Sequence, residues 1–382
     1  MPRTTRGALC GRSDKIPPRA AAPEALRPQL PARPTMTLET RRLDPRHRAG
    51  PAAAVTPPRP GSLQGILAGR LFRAASPRIA RQRSMRPPRH LAPYARFEID
   101  RRRRGRRGLA ATWYEAAGAA RGAVLLAPPW TRWGQAYFHR HGRLEALRAA
   151  GYHALSFDFG GVGSSGPPPE AFYDDDVADA LAELAERAAG LPIHLWGVSF
   201  GGYWAHPVLT RTPGVAGAMF EDVPFHLIEW SKRLAPLGYP FYLVFQHLLR
   251  SSYRYLDLRR HAPHLQVGAA AYVGGESDRG VRAEETRELA RRAGGGCRTI
   301  AGAGHLEAIK TAGSEVIALA LATFERGASR ITCIPACSRA APAAAEPVKR
   351  RGGAPGRGAA LRRRRARDAE PSGRRDTGRG SG

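Results

Sequence analysis

A serine near the middle of the chain lies between two glycines and is well placed to act as a nucleophile. The short apolar stretch Leu191–Trp196 is followed by Gly197, Ser199 and Gly201, in the spacing Gly-x-Ser-x-Gly. This spacing is typical of a sharp strand-to-helix turn that lifts a serine hydroxyl above the edge of a sheet. The glycines leave room where strand and helix nearly touch. A helix N-terminus at this serine would favour a developing negative charge.

A glycine-rich turn with an inactive serine would show the same pattern, so the interpretation depends on partner residues. A serine hydroxyl needs a base, and the base needs a carboxylate that orients it. The loop after one downstream strand pattern offers Asp278, and the loop after the next offers His305. Loops that follow parallel strands meet at one edge of a sheet. The sequence therefore predicts that both side chains lie beside Ser199.

The orienting acid has more than one candidate. Glu276 is two residues from Asp278, and Glu221 and Asp222 follow an earlier strand pattern. Some enzymes with the same order of serine, acid and histidine place the acid there. The sequence favours Asp278 and leaves Asp222 as the alternative.

Strand and helix patterns alternate around these residues. Short apolar runs predict strands at Ala123–Ala127, Tyr152–Phe157, Leu191–Trp196, Val215–Phe220, Val267–Val273 and Cys297–Ile300. Amphipathic spacing predicts helices at Gly142–Ala150, Asp174–Ala189, Gly202–Leu209, Ala283–Ala293 and Leu306–Arg326. Repeated strand–helix units imply an α/β protein with a mostly parallel sheet and helices on both faces.

Two segments depart from this alternation. The runs Ala95–Ile99 and Leu109–Tyr114 predict a hairpin, and the arginine-rich run 101–107 between them is interpreted as a solvated turn rather than a nucleic-acid patch. Residues 224–265 are rich in aromatic and aliphatic side chains at helical spacing and contain no strand pattern. This segment predicts a small helical cap, which either closes over the site or simply packs on the core.

The region from about Tyr94 to Arg326 resembles the α/β-hydrolase superfamily. Besides the serine motif, Asp158-Phe-Gly-Gly-Val-Gly-Ser-Ser165 is similar to the family's Asp-x-Arg-Gly-x-Gly-x-Ser loop, with Gly160 where arginine is common. The resemblance implies an eight-stranded core, a helical cap, no cofactor, and hydrolysis of an ester, thioester or amide. It implies Ser199 as nucleophile, His305 as general base and then acid, and Asp278 as orienting acid.

The resemblance also implies an oxyanion hole built from two backbone N–H groups. Phe200, directly after the nucleophile, can supply one of them. The second donor would come from the loop after the third strand, which here reads Ala127-Pro-Pro-Trp130. Proline has no N–H, so Trp130 is predicted as the second donor. A donor position on either proline would leave the hole incomplete.

The charge of the chain is concentrated at its two ends. The 382 residues carry a net charge of +29, whereas residues 91–327 carry only +4 (28 basic and 24 acidic residues). Residues 91–327 are therefore predicted to form the folded domain. Residues 1–90 and 328–382 are predicted to be disordered basic tails. Such tails either bind a polyanion, such as nucleic acid or an anionic membrane, or are inert low-complexity sequence. The lack of aromatic residues between the charges favours inert sequence.

The cysteine spacing and the apolar runs bear on whether the protein is disulfide-bonded, metal-binding, membrane-spanning or secreted. The four cysteines, Cys10, Cys297, Cys333 and Cys337, are spaced for neither a disulfide framework nor a metal site. No apolar run is long enough to span a membrane and no secretory leader is visible, so a cytoplasmic protein is expected. The sequence leaves the oligomeric state open.

The sequence predicts a serine hydrolase that cleaves an ester, thioester or related acyl bond of a small molecule. An acyltransferase on the same fold would pass through the same acyl-enzyme. A non-catalytic binding protein would keep the fold with a disabled oxyanion hole.

Overall fold

The structure is a computed structural model. It describes residues 86–101, 107–130, 133–169, 172–188, 190–234 and 239–332, with Leu63, Ile66, Leu67 and Arg70. Apart from these positions, the predicted tails lie outside the described residues, as do Cys10, Cys333, Cys337 and most of the arginine run. At both ends the described residues extend beyond the predicted boundaries of 91 and 327.

An eight-stranded sheet forms the centre of the fold. Its strands are β1 (Tyr94–Ile99), β2 (Leu109–Tyr114), β3 (Gly122–Ala127), β4 (Tyr152–Phe157), β5 (Ile193–Val198), β6 (Val215–Glu221), β7 (Val267–Gly275) and β8 (Gly296–Ile300). They lie side by side in the order β1-β2-β4-β3-β5-β6-β7-β8. Strands β3 to β8 pair in parallel, and β2 pairs antiparallel with both β1 and β4. The predicted α/β fold class is confirmed.

The predicted hairpin is also confirmed, because Tyr94 pairs with Tyr114 and Ile99 with Leu109. Arg101 departs from the expectation of a solvated turn. Its side chain is fully buried and forms ion pairs of 2.7 Å with both Asp176 and Asp179. Burial of an arginine is tolerated only when it is paired in this way. Arg101, the first residue of the basic run, is therefore a buried residue that links the end of the hairpin strand to the segment that carries Asp176 and Asp179.

Helices cover both faces of the sheet. They are α1 (Arg143–Ala149), α2 (Asp174–Arg187), α3 (Phe200–Leu209), α4 (Leu227–Leu234), α5 (Tyr239–Leu243), α6 (Arg250–Tyr255), α7 (Ala283–Ala293), α8 (Ala308–Thr311) and α9 (Gly313–Thr332). Short 3-10 helices lie at Arg89–Leu91, Gly134–His139, Leu258–Arg260 and Ala262–His264, and a π-helical turn lies at Val244–Leu248. Helices α2, α3 and α7 pack on one face, and α1, α8 and α9 on the other.

Side chains of the central strands fill two cores, one on each face. Leu125 and Leu195 lie in the first core, and Val124, Trp196 and Met219 lie in the second. Every residue of β3 and of β6 is buried, which explains why these strands read as continuous apolar runs. Each fully buried aliphatic side chain contributes about 1.5–3 kcal/mol. The two cores therefore hold the sheet rigid beneath the loops at its carboxyl edge.

The helix predicted at Leu306–Arg326 is in fact two helices. Leu306 has a left-handed backbone (φ 62°), and Ala312 between α8 and α9 has φ −136° and ψ 49°. The apolar periodicity runs through both breaks and so hides them. The break at Leu306 leaves the preceding residue, His305, in a loop instead of a helix.

The segment between β6 and β7 is helical, as the cap prediction requires. It holds α4, α5 and α6, with one isolated bridge between His226 and Asp257. Arg233 of α4 pairs with Glu285 of α7, with 3.1 Å between Nη2 and Oε2. The first helix of the cap is therefore fixed to the body of the domain.

Candidate active site

Ser199 lies on the tight turn between β5 and α3. Its backbone has φ 47° and ψ −111°, a strained conformation that the surrounding structure must hold in place. Its N–H donates to the carbonyl of Glu221 at 2.7 Å, and its carbonyl accepts from Tyr203 N–H at 2.8 Å. These two bonds tie the serine to β6 and to the first turn of α3.

Glycines make this turn possible, because side chains would collide there. A Cβ on Gly197 would lie 2.5 Å from the Cα of Gly202. A Cβ on Gly201 would collide with the carbonyl oxygen of Ala127 and lie 2.7 Å from that of Pro128. The motif glycines therefore let α3 approach both its own strand and the loop after β3.

The structure brings Ser199, His305 and Asp278 together in a line. The Oγ of Ser199 lies 3.1 Å from the Nε2 of His305. The Nδ1 of His305 lies 2.7 Å from the Oδ2 of Asp278. If Nδ1–H donates to the carboxylate, Nε2 is left as the acceptor for the serine hydroxyl. This is the geometry in which a histidine takes a proton from a serine.

Backbone donors hold the carboxylate of Asp278 in position. Its Oδ1 accepts from Gly280 N–H at 2.7 Å and from Val281 N–H at 2.9 Å. The side chain is fully buried, while that of His305 is 28 % exposed. The two backbone bonds fix Oδ1, and the other oxygen, Oδ2, is the one that contacts the histidine.

The alternative acids occupy other positions. Asp222 accepts from Gly275 N–H at 3.1 Å and from Leu306 N–H at 2.9 Å instead of contacting the ring of His305. Glu276 is exposed to solvent. The structure therefore places Asp278 in hydrogen-bonding contact with the histidine ring.

Glu221 belongs to a buried ion pair that sequence reasoning missed. Its Oε1 lies 2.5 Å from the Nη2 of Arg143, and both side chains are fully buried. Trp196 Nε1 donates to the other oxygen at 3.3 Å. A signal was available in the sequence, since Arg143 falls on the same side of its helix as Leu147. An arginine on an apolar face indicates a buried partner.

Trp130, the predicted oxyanion donor, lies in the loop that touches the start of α3. Its ring centroid is 4.0 Å from that of Phe200, the other predicted donor, and 5.3 Å from that of Tyr173. Residues 128 and 129 are prolines. Trp130 is therefore the residue of Pro128–Trp130 that carries an N–H, and it lies beside the residue that follows the nucleophile.

Electrostatics favour a histidine that is readily protonated. Burial opposes its charged form, but the hydrogen bond and charge of Asp278 prevail and raise the pKa of His305 above its ordinary value. Burial and the nearby Glu221 carboxylate raise the pKa of Asp222 to about 7. The carboxyl group of Asp222 therefore holds its proton up to a higher pH than an ordinary aspartate does.

Two further features are absent among the described residues. They contain no group of three or more His, Cys, Asp or Glu side chains that could hold a metal ion. Within the same residues, no helix is long and apolar enough to cross a membrane. Cys297 is a free thiol and is half-buried.

Comparison with protein families decides the classification. The family model described as the alpha/beta hydrolase family matches residues 124–319, just over half of the chain. The chain belongs to the alpha/beta hydrolase family. The match begins within β3 and ends within α9, and so includes every residue of this hydrolase-family site.

Curated relatives of this hydrolase-family chain include the lysophosphatidylserine lipase ABHD12 of Mus musculus and that of Danio rerio. The mouse protein is 28% identical over 154 residues, which is 38% of this chain and 36% of the relative. The zebrafish protein is 28% identical over 156 residues, which is 38% of each chain. The chain thus spans little more than a third of the length of these relatives.

A solved structure with the same fold is the Pyrococcus furiosus esterase Pf2001. It superposes with a TM-score of 0.52 at 18% identity, covering 64% of this hydrolase-family chain and 95% of the esterase. At this identity the likeness concerns the fold alone. It agrees with the eight-stranded sheet described above.

Proposed function

We propose that the chain is a serine hydrolase that cleaves an acyl ester or related bond through an acyl-enzyme on Ser199. The observation that carries the proposal is the pair of distances through His305, 3.1 Å to the serine and 2.7 Å to Asp278. A strained serine at a helix N-terminus, with a base and an oriented acid, is what nucleophilic acyl transfer requires.

In the proposed reaction the Oγ of Ser199 attacks the acyl carbon while Nε2 of His305 takes its proton. Asp278 stabilises the imidazolium that forms. The oxyanion would be bound by the N–H groups of Phe200 and Trp130, near the positive end of the α3 dipole. His305 then returns the proton to the leaving alcohol. A water molecule activated by the same nitrogen releases the acyl group.

The substrate class is proposed to be an ester with a large apolar portion. Aromatic rings lie near the site. Trp130 packs on Phe200, the residue after the serine, and Trp230 of the cap lies 6.2 Å from His305, centroid to centroid. Such rings provide apolar contact area for an acyl or alcohol chain. The names of the ABHD12 relatives, which are lipases of lysophosphatidylserine, support a lipid-like ester.

Labelling with a fluorophosphonate tests the proposed nucleophile. The purified chain is expected to label at one serine, and Ser199→Ala is expected to abolish labelling without changing the unfolding midpoint. Ser164→Ala is the matched control, because Ser164 is exposed on a neighbouring loop. Equal labelling of wild type and Ser199→Ala would overturn the assignment. Absence of labelling in a folded wild type would favour a binding role for the fold.

A panel of p-nitrophenyl esters tests the substrate class. The proposal expects kcat/KM to increase with the length of the acyl chain, because each buried methylene contributes about 0.8 kcal/mol. Trp230→Ala is expected to weaken this dependence on chain length. A preference for acetyl esters in the wild type would contradict the apolar substrate class.

A further inference from the structure

Asp222 is a buried carboxylate in the middle of the site that the proposed reaction does not use. It follows β6, its exposed fraction is 0%, and its backbone is left-handed with φ 51°. A buried carboxylate is costly unless its oxygens are hydrogen-bonded. The partners of those oxygens therefore show why the residue is tolerated there.

Each oxygen of Asp222 binds a different loop of the site. Oδ1 accepts from the N–H of Gly275, at the end of β7, where the loop that carries Asp278 begins. Oδ2 accepts from the N–H of Leu306, the residue directly after His305. One carboxylate thus joins the loop of the acid to the loop of the base.

The bond to Leu306 holds an unfavourable backbone. Leu306 has φ 62°, a conformation that is a genuine outlier for a bulky side chain. The turn directs the chain out of the His305 loop and into α8. Its N–H donates to Asp222 at 2.9 Å, so this contact holds the backbone directly after the histidine.

We propose that Asp222 is a positioning residue that ties the Asp278 loop to the His305 loop and so sets the hydrogen bond between them. The proposal rests on the proposed hydrolase function. The backbone of Asp222 is held independently, because its own N–H donates to the carbonyl of Val273 at 2.8 Å. Because the backbone of Asp222 is bonded to the sheet, its side chain can hold the two loops in a fixed position relative to each other.

The charge of Asp222 also reaches the histidine. The groups that face Asp222 are Glu221 on the strand before it, Asp278, His305 and the Tyr137 hydroxyl. Its negative charge contributes, after that of Asp278, to raising the pKa of His305. Because the pKa of Asp222 is itself raised to about 7, this charge is only partly present in the pH range where the histidine titrates. Its loss is therefore expected to lower the pKa of the histidine by a small amount, an effect that a purely structural residue would not have.

The test compares Asp222→Asn with wild type in fluorophosphonate labelling across pH. Asparagine keeps the shape, but its NH2 group faces a backbone N–H that needs an acceptor. The rate constant for labelling, per folded molecule, is expected to fall by about 10²-fold, as for a misplaced catalytic group. The acid limb of the rate profile is expected to move to lower pH.

Asp158→Asn serves as the control. Asp158 is also buried and also accepts two hydrogen bonds, from Gln135 N–H at 2.8 Å and Gln135 Nε2 at 3.1 Å. Its substitution also places an NH2 group against a donor, here a backbone N–H or a side-chain amide, on the other side of the central strands. The acid limb is expected to stay where it is in wild type. A shift of the limb in both variants would overturn the positioning role.

The outcomes separate this proposal from the one on which it rests. A folded wild type that does not label overturns the hydrolase function and the positioning role together. A wild type that labels, with Asp222→Asn equal to it in rate and acid limb, overturns the positioning role alone.

Amide exchange of the wild type covers the case in which Asp222→Asn does not fold. The N–H groups of Gly275 and Leu306 are expected to exchange as slowly as the paired amides of β7, since both are bonded to a buried carboxylate. Fast exchange at Leu306 would overturn the proposal without any variant.

Discussion

Asp278 and His305 are 27 positions apart in the chain, yet Oδ2 of the first lies 2.7 Å from Nδ1 of the second. They follow neighbouring strands, β7 and β8, which pair in parallel. Parallel pairing places both strand ends at the same edge, and Asp222 bonds both loops there. The parallel register therefore brings the two loops together, and the bonds to Asp222 lie where the loops meet.

Replacement of Asp278 by asparagine should reduce kcat far more than it changes KM. The new side-chain amide would offer an NH2 group in place of one oxygen and so favour the wrong tautomer of His305, a change that costs about 10⁴-fold in a well-studied triad. Steady-state kinetics on a p-nitrophenyl ester measure both constants. Glu276→Gln is the control and should behave as wild type, since Glu276 is exposed. A comparable loss in Glu276→Gln would contradict the assignment of Asp278.

As the pH is lowered, wild-type kcat/KM should begin to fall at a higher pH than it would if the base were a histidine of ordinary pKa. The base must be neutral, and Asp278 raises the pKa of His305, so protonation begins above the ordinary value of about 6.5. The same shift means that protonated His305 stabilises the folded state. This stabilisation is fully present below the pKa that His305 has in the unfolded chain, and it is lost as the pH rises through the higher pKa in the folded state. An acid limb clearly below pH 6 would contradict this prediction.

Substitution of Gly201 by alanine should destabilise the domain and disrupt the site. The new Cβ would collide with the carbonyl of Ala127, so the loop that carries Trp130 must move away from α3. Urea unfolding should show a loss of about 1–3 kcal/mol, the usual cost of overpacking. Gly313→Ala is the control, because nothing lies within 4 Å of its Cβ position. It should be neutral or stabilising by about 0.4–1 kcal/mol.

Replacement of Arg143 by methionine should be strongly destabilising. It would leave Glu221 buried without its cation, a change that costs about 3–5 kcal/mol. Removal of the carboxylate as well, in Arg143→Met with Glu221→Gln, should recover part of the loss. Arg287→Met is the control, because its pair with Glu284 is exposed and such pairs contribute about 0–1 kcal/mol. Urea unfolding that shows equal losses for the two single variants would contradict a structural role for the buried pair.

The sequence was sufficient for the alternation of strands and helices, because buried parallel strands are short apolar runs with glycine or proline at their ends. Boundaries were less accurate. The strand predicted at Leu191–Trp196 is Ile193–Val198 in the structure, because Leu191 closes the preceding turn by donating to Ala188. A local pattern of apolar residues does not distinguish the end of a turn from the first residue of a strand.

The sequence favoured Asp278 but left Asp222 as an alternative acid, for a physical reason. Both residues follow buried strands and both are brought to the same edge of the sheet. Their difference lies in direction, since one carboxylate points at the histidine ring and the other at backbone N–H groups. The direction of the carboxylate depends on the left-handed backbone at Asp222 and Leu306. A pattern of side chains in the sequence does not predict such a backbone conformation.

The strands β5, β6, β7 and β8 stand side by side in the same order in which they are synthesised. Ser199 follows the first of them and His305 the last, which is an edge strand that pairs with β7 alone among the strands the structure describes. During translation, where segments emerge and fold from the N-terminus, the serine is in place well before its base. A nascent chain that still lacks β8 therefore carries Ser199 without the histidine that we propose as its base, and the proposed acyl transfer has to wait until the sheet receives its final strand.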